Sequence, residues 1–160
     1  MVYAFSASAN SQLYNRLAGL WEQSGTSVPR SKTSSNSTTT VAVFQASFYA
    51  TITSFKNLED GWNGDKAKAI PLSVINSALN MLEKLPKEGL KIFPTGRESI
   101  QFEYDNGGKT LEIEIFKNQF EVTLFDDINL VSEGTYRISK TEEIEQYFNK
   151  LYEQQLHQTS

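Results

Sequence analysis

The hydrophobic pattern changes period partway along the chain. Over much of the first half apolar side chains recur every three or four positions, and from residue 100 to 124 they alternate one in two. The alternating stretch holds three runs. Ile100, Phe102 and Tyr104 alternate with Gln101 and Glu103. Leu111, Ile113 and Ile115 alternate with Glu112 and Glu114, and Phe120, Val122 and Leu124 with Glu121 and Thr123. Asn106-Gly107 predicts a type I′ hairpin turn, and Lys117-Asn118 a second two-residue turn. These turns set Phe102 opposite Leu111 and Ile100 opposite Ile113, then Ile115 opposite Phe120, Ile113 opposite Val122 and Leu111 opposite Leu124. Both registers gather the apolar residues on one face, which a slip of one residue would not do. Residues 90–93 and 135–138 are expected as flanking strands.

Three segments read as helices. Leu13, Leu17, Leu20 and Trp21 predict a short helix over residues 10–23. Val74, Ile75, Ala78, Leu79, Leu82 and Leu85 form a stripe that Pro71 opens and Pro86 stops. Ile144, Tyr147, Phe148, Leu151 and Tyr152 form a closing stripe over about residues 140–155, with Ser139 and Glu142 as a capping box. Residues 41–57 fit both periods: length favours a helix, β-branched content a strand. Between the first helix and this segment, eleven of the seventeen residues 24–40 are Ser or Thr, and only Val28 is a sizeable apolar residue. Such a stretch buries too little to offset its ordering entropy, so it reads as a flexible linker. The expected organisation is an amino-terminal helical appendage (1–23), a linker (24–40) and an α+β domain (41–156). In that domain an antiparallel β-meander of three to five strands is packed on one face by two or three helices.

The run Leu58-Glu59-Asp60-Gly61-Trp62-Asn63-Gly64, then Pro71, an amphipathic helix and the alternating meander, resembles a family of small uncharacterised bacterial and phage proteins. Their mark is a G-W-[DN]-G motif ahead of a helix. The resemblance covers about residues 45–150. In that pattern a helix precedes the motif, which decides 41–57 as helix. Asp65 and Lys66 depart from the pattern, which commonly has tyrosine or another residue there. The resemblance identifies no activity. It implies an antitoxin, immunity or anti-defence role, because some members sit on mobile elements.

Composition narrows the chemistry. With no cysteine and a single histidine, His157 near the end, thiol nucleophiles, cysteine or histidine-rich zinc sites and Ser-His-Asp triads are excluded. No phosphate-binding glycine loop occurs. The net charge of −4, with no cluster of Lys and Arg, disfavours a nucleic-acid backbone as partner. The opening residues lack a signal-peptide pattern and no stretch is long and apolar enough to span a membrane, so a cytoplasmic location is expected. The aromatics Phe102, Tyr104, Phe116 and Phe125 suggest base stacking less than core packing, since Phe102 and Tyr104 share the inward face.

Two constellations remain. Gln101, Glu103, Glu112, Glu114 and Glu121 point away from the apolar face, with Glu114 opposite Glu121 and Gln101 opposite Glu112. Like charges so placed cost up to roughly 1 kcal/mol. The face reads as a solvated surface, as a docking surface for a basic partner, or as a hard-cation site. The second constellation is the corner Asp60-Gly61-Trp62-Asn63-Gly64. There Trp62 either caps the core between helix and sheet or is an exposed anchor bracketed by Asp60 and Asp65. The leading expectation is a non-enzymatic protein-interaction module that binds a basic partner protein. It would use Trp62, Asp60, Asn63, Glu103, Glu112, Glu114 and Glu121, with Leu13, Leu17, Leu20 and Trp21 as a second interface. No catalytic residue, metal or cofactor is assigned. The alternatives are a metal-dependent hydrolase or nuclease using clustered carboxylates, and a nucleic-acid-binding regulator.

Overall fold

A computed structural model describes residues 47–153. The expected helix at 10–23, with Leu13, Leu17, Leu20 and Trp21, the linker at 24–40 and His157 lie outside the described residues. The segment that fitted both periods is helical: α1 spans 47–54 and tightens into a 3-10 turn at Phe55–Asn57. It presents Ile52 and Phe55 to the core. Helix α2 covers Leu72–Leu82, and Pro71 is its N-cap. Pro71 lacks an N–H, which costs nothing at a helix entrance, and its carbonyl accepts from Val74 and Ile75. The buried stripe of α2 includes Met81 as well as Val74, Ile75, Ala78 and Leu82. Ser77, on the same face, donates its hydroxyl to the Lys117 carbonyl at 2.8 Å and so ties α2 to a sheet turn.

Five strands follow in an antiparallel meander: β1 Lys91–Pro94, β2 Ile100–Asn106, β3 Lys109–Ile115, β4 Gln119–Asp126 and β5 Asn129–Arg137. They lie side by side in chain order. The fold class is therefore α+β. Alternation works as the period of two requires. Ile100, Phe102, Tyr104, Leu111, Ile113, Ile115, Phe120, Val122 and Leu124 are all buried, and the residues that alternate with them are not.

The β3–β4 register is the expected one, with Ile115 opposite Phe120 and Leu111 opposite Leu124. The β2–β3 register is not. Phe102 faces Ile113 rather than Leu111, Ile100 faces Ile115 rather than Ile113, and Gln101 faces Glu114 rather than Glu112. A type I′ turn needs positive φ at both central residues. Gly107 (φ 56°) and Gly108 (φ 90°) supply it, so the bend sits one residue later than Asn106-Gly107. Asn106 stays in the strand and donates its side-chain amide to the Leu151 carbonyl at 2.9 Å. The resulting shift of two leaves every side chain on its expected face.

The carboxyl end departs from expectation at its entrance. Ser139 does not cap a helix. It sits in a turn closed by Lys140 N–H on the Arg137 carbonyl, and the chain passes through a 3-10 turn, Thr141–Ile144, before helix α3 begins. Without a helical first turn at 140, the Ser139–Glu142 box has no amide to cap. Helix α3 covers Glu145–Tyr152 and buries Tyr147, Phe148, Leu151 and Tyr152 against the sheet. The Phe148 ring meets Tyr104 edge-on with centroids 4.8 Å apart. The Tyr104 hydroxyl, wholly enclosed, donates to the Pro86 carbonyl at 2.7 Å, which satisfies both groups. Among the described residues, no helix is long and apolar enough to cross a membrane.

Candidate functional site

One sheet face meets the helices, and the other carries the acids. Its register sets Glu103 opposite Glu112, and Glu114 opposite Glu121. Left alone, such facing carboxylates destabilise a sheet. Two cations from the β1 side relieve them. Lys91, opposite Glu103, bonds Glu103 at 3.0 Å and also pairs with Asp105. Arg97, in the loop between β1 and β2, inserts its guanidinium between the other two acids. Its Nη1 reaches Glu114 at 2.6 Å and Glu121 at 3.0 Å. The same guanidinium lies 5.0 Å from the centre of the Phe116 ring, a cation–π distance.

The loop that aims Arg97 is built for the purpose. Thr95 N–H closes on the Ser99 carbonyl at 2.9 Å, and the Thr95 hydroxyl accepts from Arg97 N–H at 3.1 Å. Glu98 adopts φ 60°, a left-handed conformation that costs a non-glycine residue about 1 kcal/mol. The hydroxyls of Ser99, fully buried, and Thr95 both bond Glu114 Oε1. Glu114 is thus held on three sides and is a framework residue as much as a surface acid.

Glu112 is different. The two cations contact its neighbours, while its own side-chain hydrogen bond comes from Gln101. Partial burial, then the charges of Glu103 and Glu114, push its carboxyl pKa above the ordinary 4.5. The ionised side chain burdens the fold above the raised pKa, and the burden disappears as pH falls through it toward 4.5. Glu112→Gln is therefore expected to stabilise the protein at neutral pH, by about 0.5 kcal/mol or less after solvent screening. The gain should vanish near pH 4, as urea titrations at the two pH values would show.

The 58–69 loop holds the other expected residues. Asp60 pairs with Lys68 at 2.6 Å and accepts Ala69 N–H at 3.0 Å; the Lys68 hydrogen bond, then that of the Ala69 backbone, lowers its pKa. Asn63 Oδ1 accepts from the backbone of Asp65 and Ala67. Gly61 takes φ 84° and donates its N–H to the Ala67 carbonyl at 2.6 Å, a conformation that favours glycine. Trp62 is half-buried, and its indole N–H donates to the Lys68 carbonyl at 3.2 Å. Trp62 thus braces its own loop. The partly buried side chains packed on the core are others, such as Phe48, Tyr49 and Leu58. The motif is a self-closed corner whose polar side chains are already engaged.

The two regions touch. A side chain at Gly96 would come within 3.9 Å of Asn63 Nδ2 and 4.0 Å of the Ala67 Cβ, so the corner packs against the loop that carries Arg97. Glu103, Glu112, Glu114 and Glu121 share one face, and Asp60, Trp62 and Asn63 lie on the loop adjoining the Arg97 turn. Sequence reasoning missed Arg97, Lys91, Thr95 and Ser99. Lys91 had a signal, since it alternates with Leu90 and Ile92 and falls opposite Glu103 once β1 and β2 pair. Arg97 had none.

Among the described residues, no group of three or more histidine, aspartate or glutamate side chains is disposed to hold a metal ion. Comparison with protein-family models, curated proteins and solved structures gives no match for this chain.

Proposed function

We propose that the protein is a non-enzymatic interaction module that docks a basic partner protein on the uncovered face of its sheet, in the manner of an antitoxin, an immunity protein or an anti-defence inhibitor. The observation that carries this reading is Glu112. It lies on the middle strand of the five, between acids already bridged by Lys91 and Arg97, and partial burial together with the charges of Glu103 and Glu114 disfavours its ionised form. A lysine or arginine from a partner would relieve that charge, and a charge-assisted bond there strengthens as water is displaced. Acids outnumber bases on this face: Glu103, Asp105, Glu112, Glu114, Glu121 and Glu133 stand against Lys91, Arg97 and Arg137. The surplus would steer a basic surface toward it. Phe93, 43% exposed, and Leu130, 53% exposed, supply apolar contact at its two edges. Trp62, Asp60 and Asn63 act in this reading as the buttress of the Arg97 loop.

The test is affinity co-purification of the full chain from its native host in low salt, beside the Glu112→Lys variant. A stoichiometric basic protein should be retained by the original chain, released as salt rises to a few tenths molar, and lost with Glu112→Lys. If the chain elutes alone, or the partner is held equally by the variant, the reading fails. Glu112 suits this test better than Glu114, because reversing Glu114 would also break its bonds to Ser99, Thr95 and Arg97.

A further inference from the structure

We infer that β5 is a self-pairing edge, and that two copies of the chain join through it into one continuous ten-stranded antiparallel sheet. This stands apart from the basic-partner reading and does not depend on it.

A sheet of five strands in chain order has two edges, and they differ. β1 is four residues long and ends in Pro94, which has no N–H to offer. β5 is nine residues long and contains no proline. Its outward groups can be assigned. Ile138 N–H donates to the Asn118 carbonyl on the β4 side at 2.9 Å. Backbone groups alternate direction along an extended chain, so those of Arg137, Thr135 and Glu133 point away from β4 to an edge that no strand among the described residues covers. These three residues are exposed. The bulge at Val131, where Leu124 faces Ser132 but Phe125 faces Leu130, ends this regular stretch on one side. The turn at 138–139 ends it on the other.

What fits such an edge is set by its charges. An antiparallel copy related by a two-fold axis at Thr135 brings Thr135 opposite Thr135 of the second copy. Glu133 then falls opposite Arg137 of the second copy, and Arg137 opposite its Glu133. All three are edge-facing positions, so the register that pairs the open backbone groups also pairs opposite charges, twice. A two-fold axis at Glu133 would instead set glutamate against glutamate. Four backbone bonds form: Thr135 N–H to the other Thr135 carbonyl and its reciprocal, and Arg137 N–H to the other Glu133 carbonyl and its reciprocal. The Arg137 carbonyl is already held by Lys140 N–H at 2.8 Å and is left out. Opposed residues in antiparallel strands share a face, so the helices of both copies lie on one side and both acidic faces join on the other.

Five paired residues make a contact smaller than the roughly 1,600 Å² of a standard interface. The dimer should therefore form reversibly at about micromolar to hundred-micromolar concentration. The experiment is sedimentation velocity on the full chain across that range, with hydrogen exchange on the same samples. The expected result is a concentration-dependent dimer, in which exchange at the Thr135 amide slows as dimer accumulates. Glu133→Arg and Arg137→Glu should each weaken dimerisation about ten-fold, because two attractive pairs become two repulsive ones. The double swap should restore it. Circular dichroism shows whether each variant is folded, and the exchange result on the unaltered chain stands whatever the variants do. A monomer at every concentration, a dimer that leaves Thr135 exchange unchanged, or a dimer indifferent to both folded charge reversals overturns the inference.

Discussion

Replacing Phe148 by alanine is expected to cost the fold about 3–5 kcal/mol, the range for emptying a buried aromatic site. Phe148 is fully enclosed and touches two rings, Tyr104 edge-on at 4.8 Å and Tyr152 nearly parallel at 6.3 Å. Helix α3 has only eight residues, too few to hold itself together in water, so its structure depends on what its apolar face meets. Without the ring, Tyr104 loses the neighbour that keeps its hydroxyl aimed at the Pro86 carbonyl. Two further contacts should loosen with the helix: Asn106 to the Leu151 carbonyl, and Lys109 to the carbonyls of Lys150 and Glu153. Urea unfolding followed by tryptophan fluorescence and by far-UV dichroism gives the measurement. A loss below about 1 kcal/mol would mean that α3 is not anchored through this ring.

Gly134→Ala is expected to destabilise by about 1–3 kcal/mol, although alanine normally suits a strand better than glycine. The reason is space. A Cβ at this position would lie 2.5 Å from the Tyr147 hydroxyl, 2.6 Å from that of Tyr136 and 2.7 Å from the Tyr136 ring. Neither tyrosine can retreat easily. Tyr147 is buried, Tyr136 stacks on Phe120 at 5.5 Å, and their hydroxyls bond each other at 3.0 Å. Removing the nearer hydroxyl with Tyr147→Phe should reduce the penalty of the glycine substitution but not abolish it, since Tyr136 still crowds the site. Thermal or urea unfolding of the four proteins in this cycle decides the matter. A neutral or stabilising Gly134→Ala would show that the contact is not a constraint.

The sequence was legible where burial alone sets the pattern. Phe120, Val122 and Leu124 alternate cleanly because their strand lies inside the sheet with one face dry, and the β3–β4 register follows from that and a short turn. The β2–β3 register was misjudged because the pattern is blind to shifts of two. The choice lay with Gly107 and Gly108, which both accept left-handed φ where Asn106 need not. The first two thirds of β5 escaped notice for a related reason. An edge strand with a bulge at Val131 and a glycine at 134 has no apolar alternation to show. The acidic strand residues were found, but not what holds them. Arg97 reaches Glu114 and Glu121 from a loop far away in sequence, and only the folded arrangement brings them together. The Gly-Trp-Asn-Gly corner was visible as a motif, yet nothing local shows that its carboxylate and amide are engaged by Lys68 and by the loop's own backbone.

The hairpin at Gly107-Gly108 has a consequence for how this chain tolerates changes in length. Adding or deleting two residues beside that bend would re-pair the strands and still leave oil facing oil and water facing water. A single-residue change there would turn one strand inside out unless a bulge or a three-residue loop absorbed it. Related chains that keep a two-residue bend should therefore differ beside it in even steps.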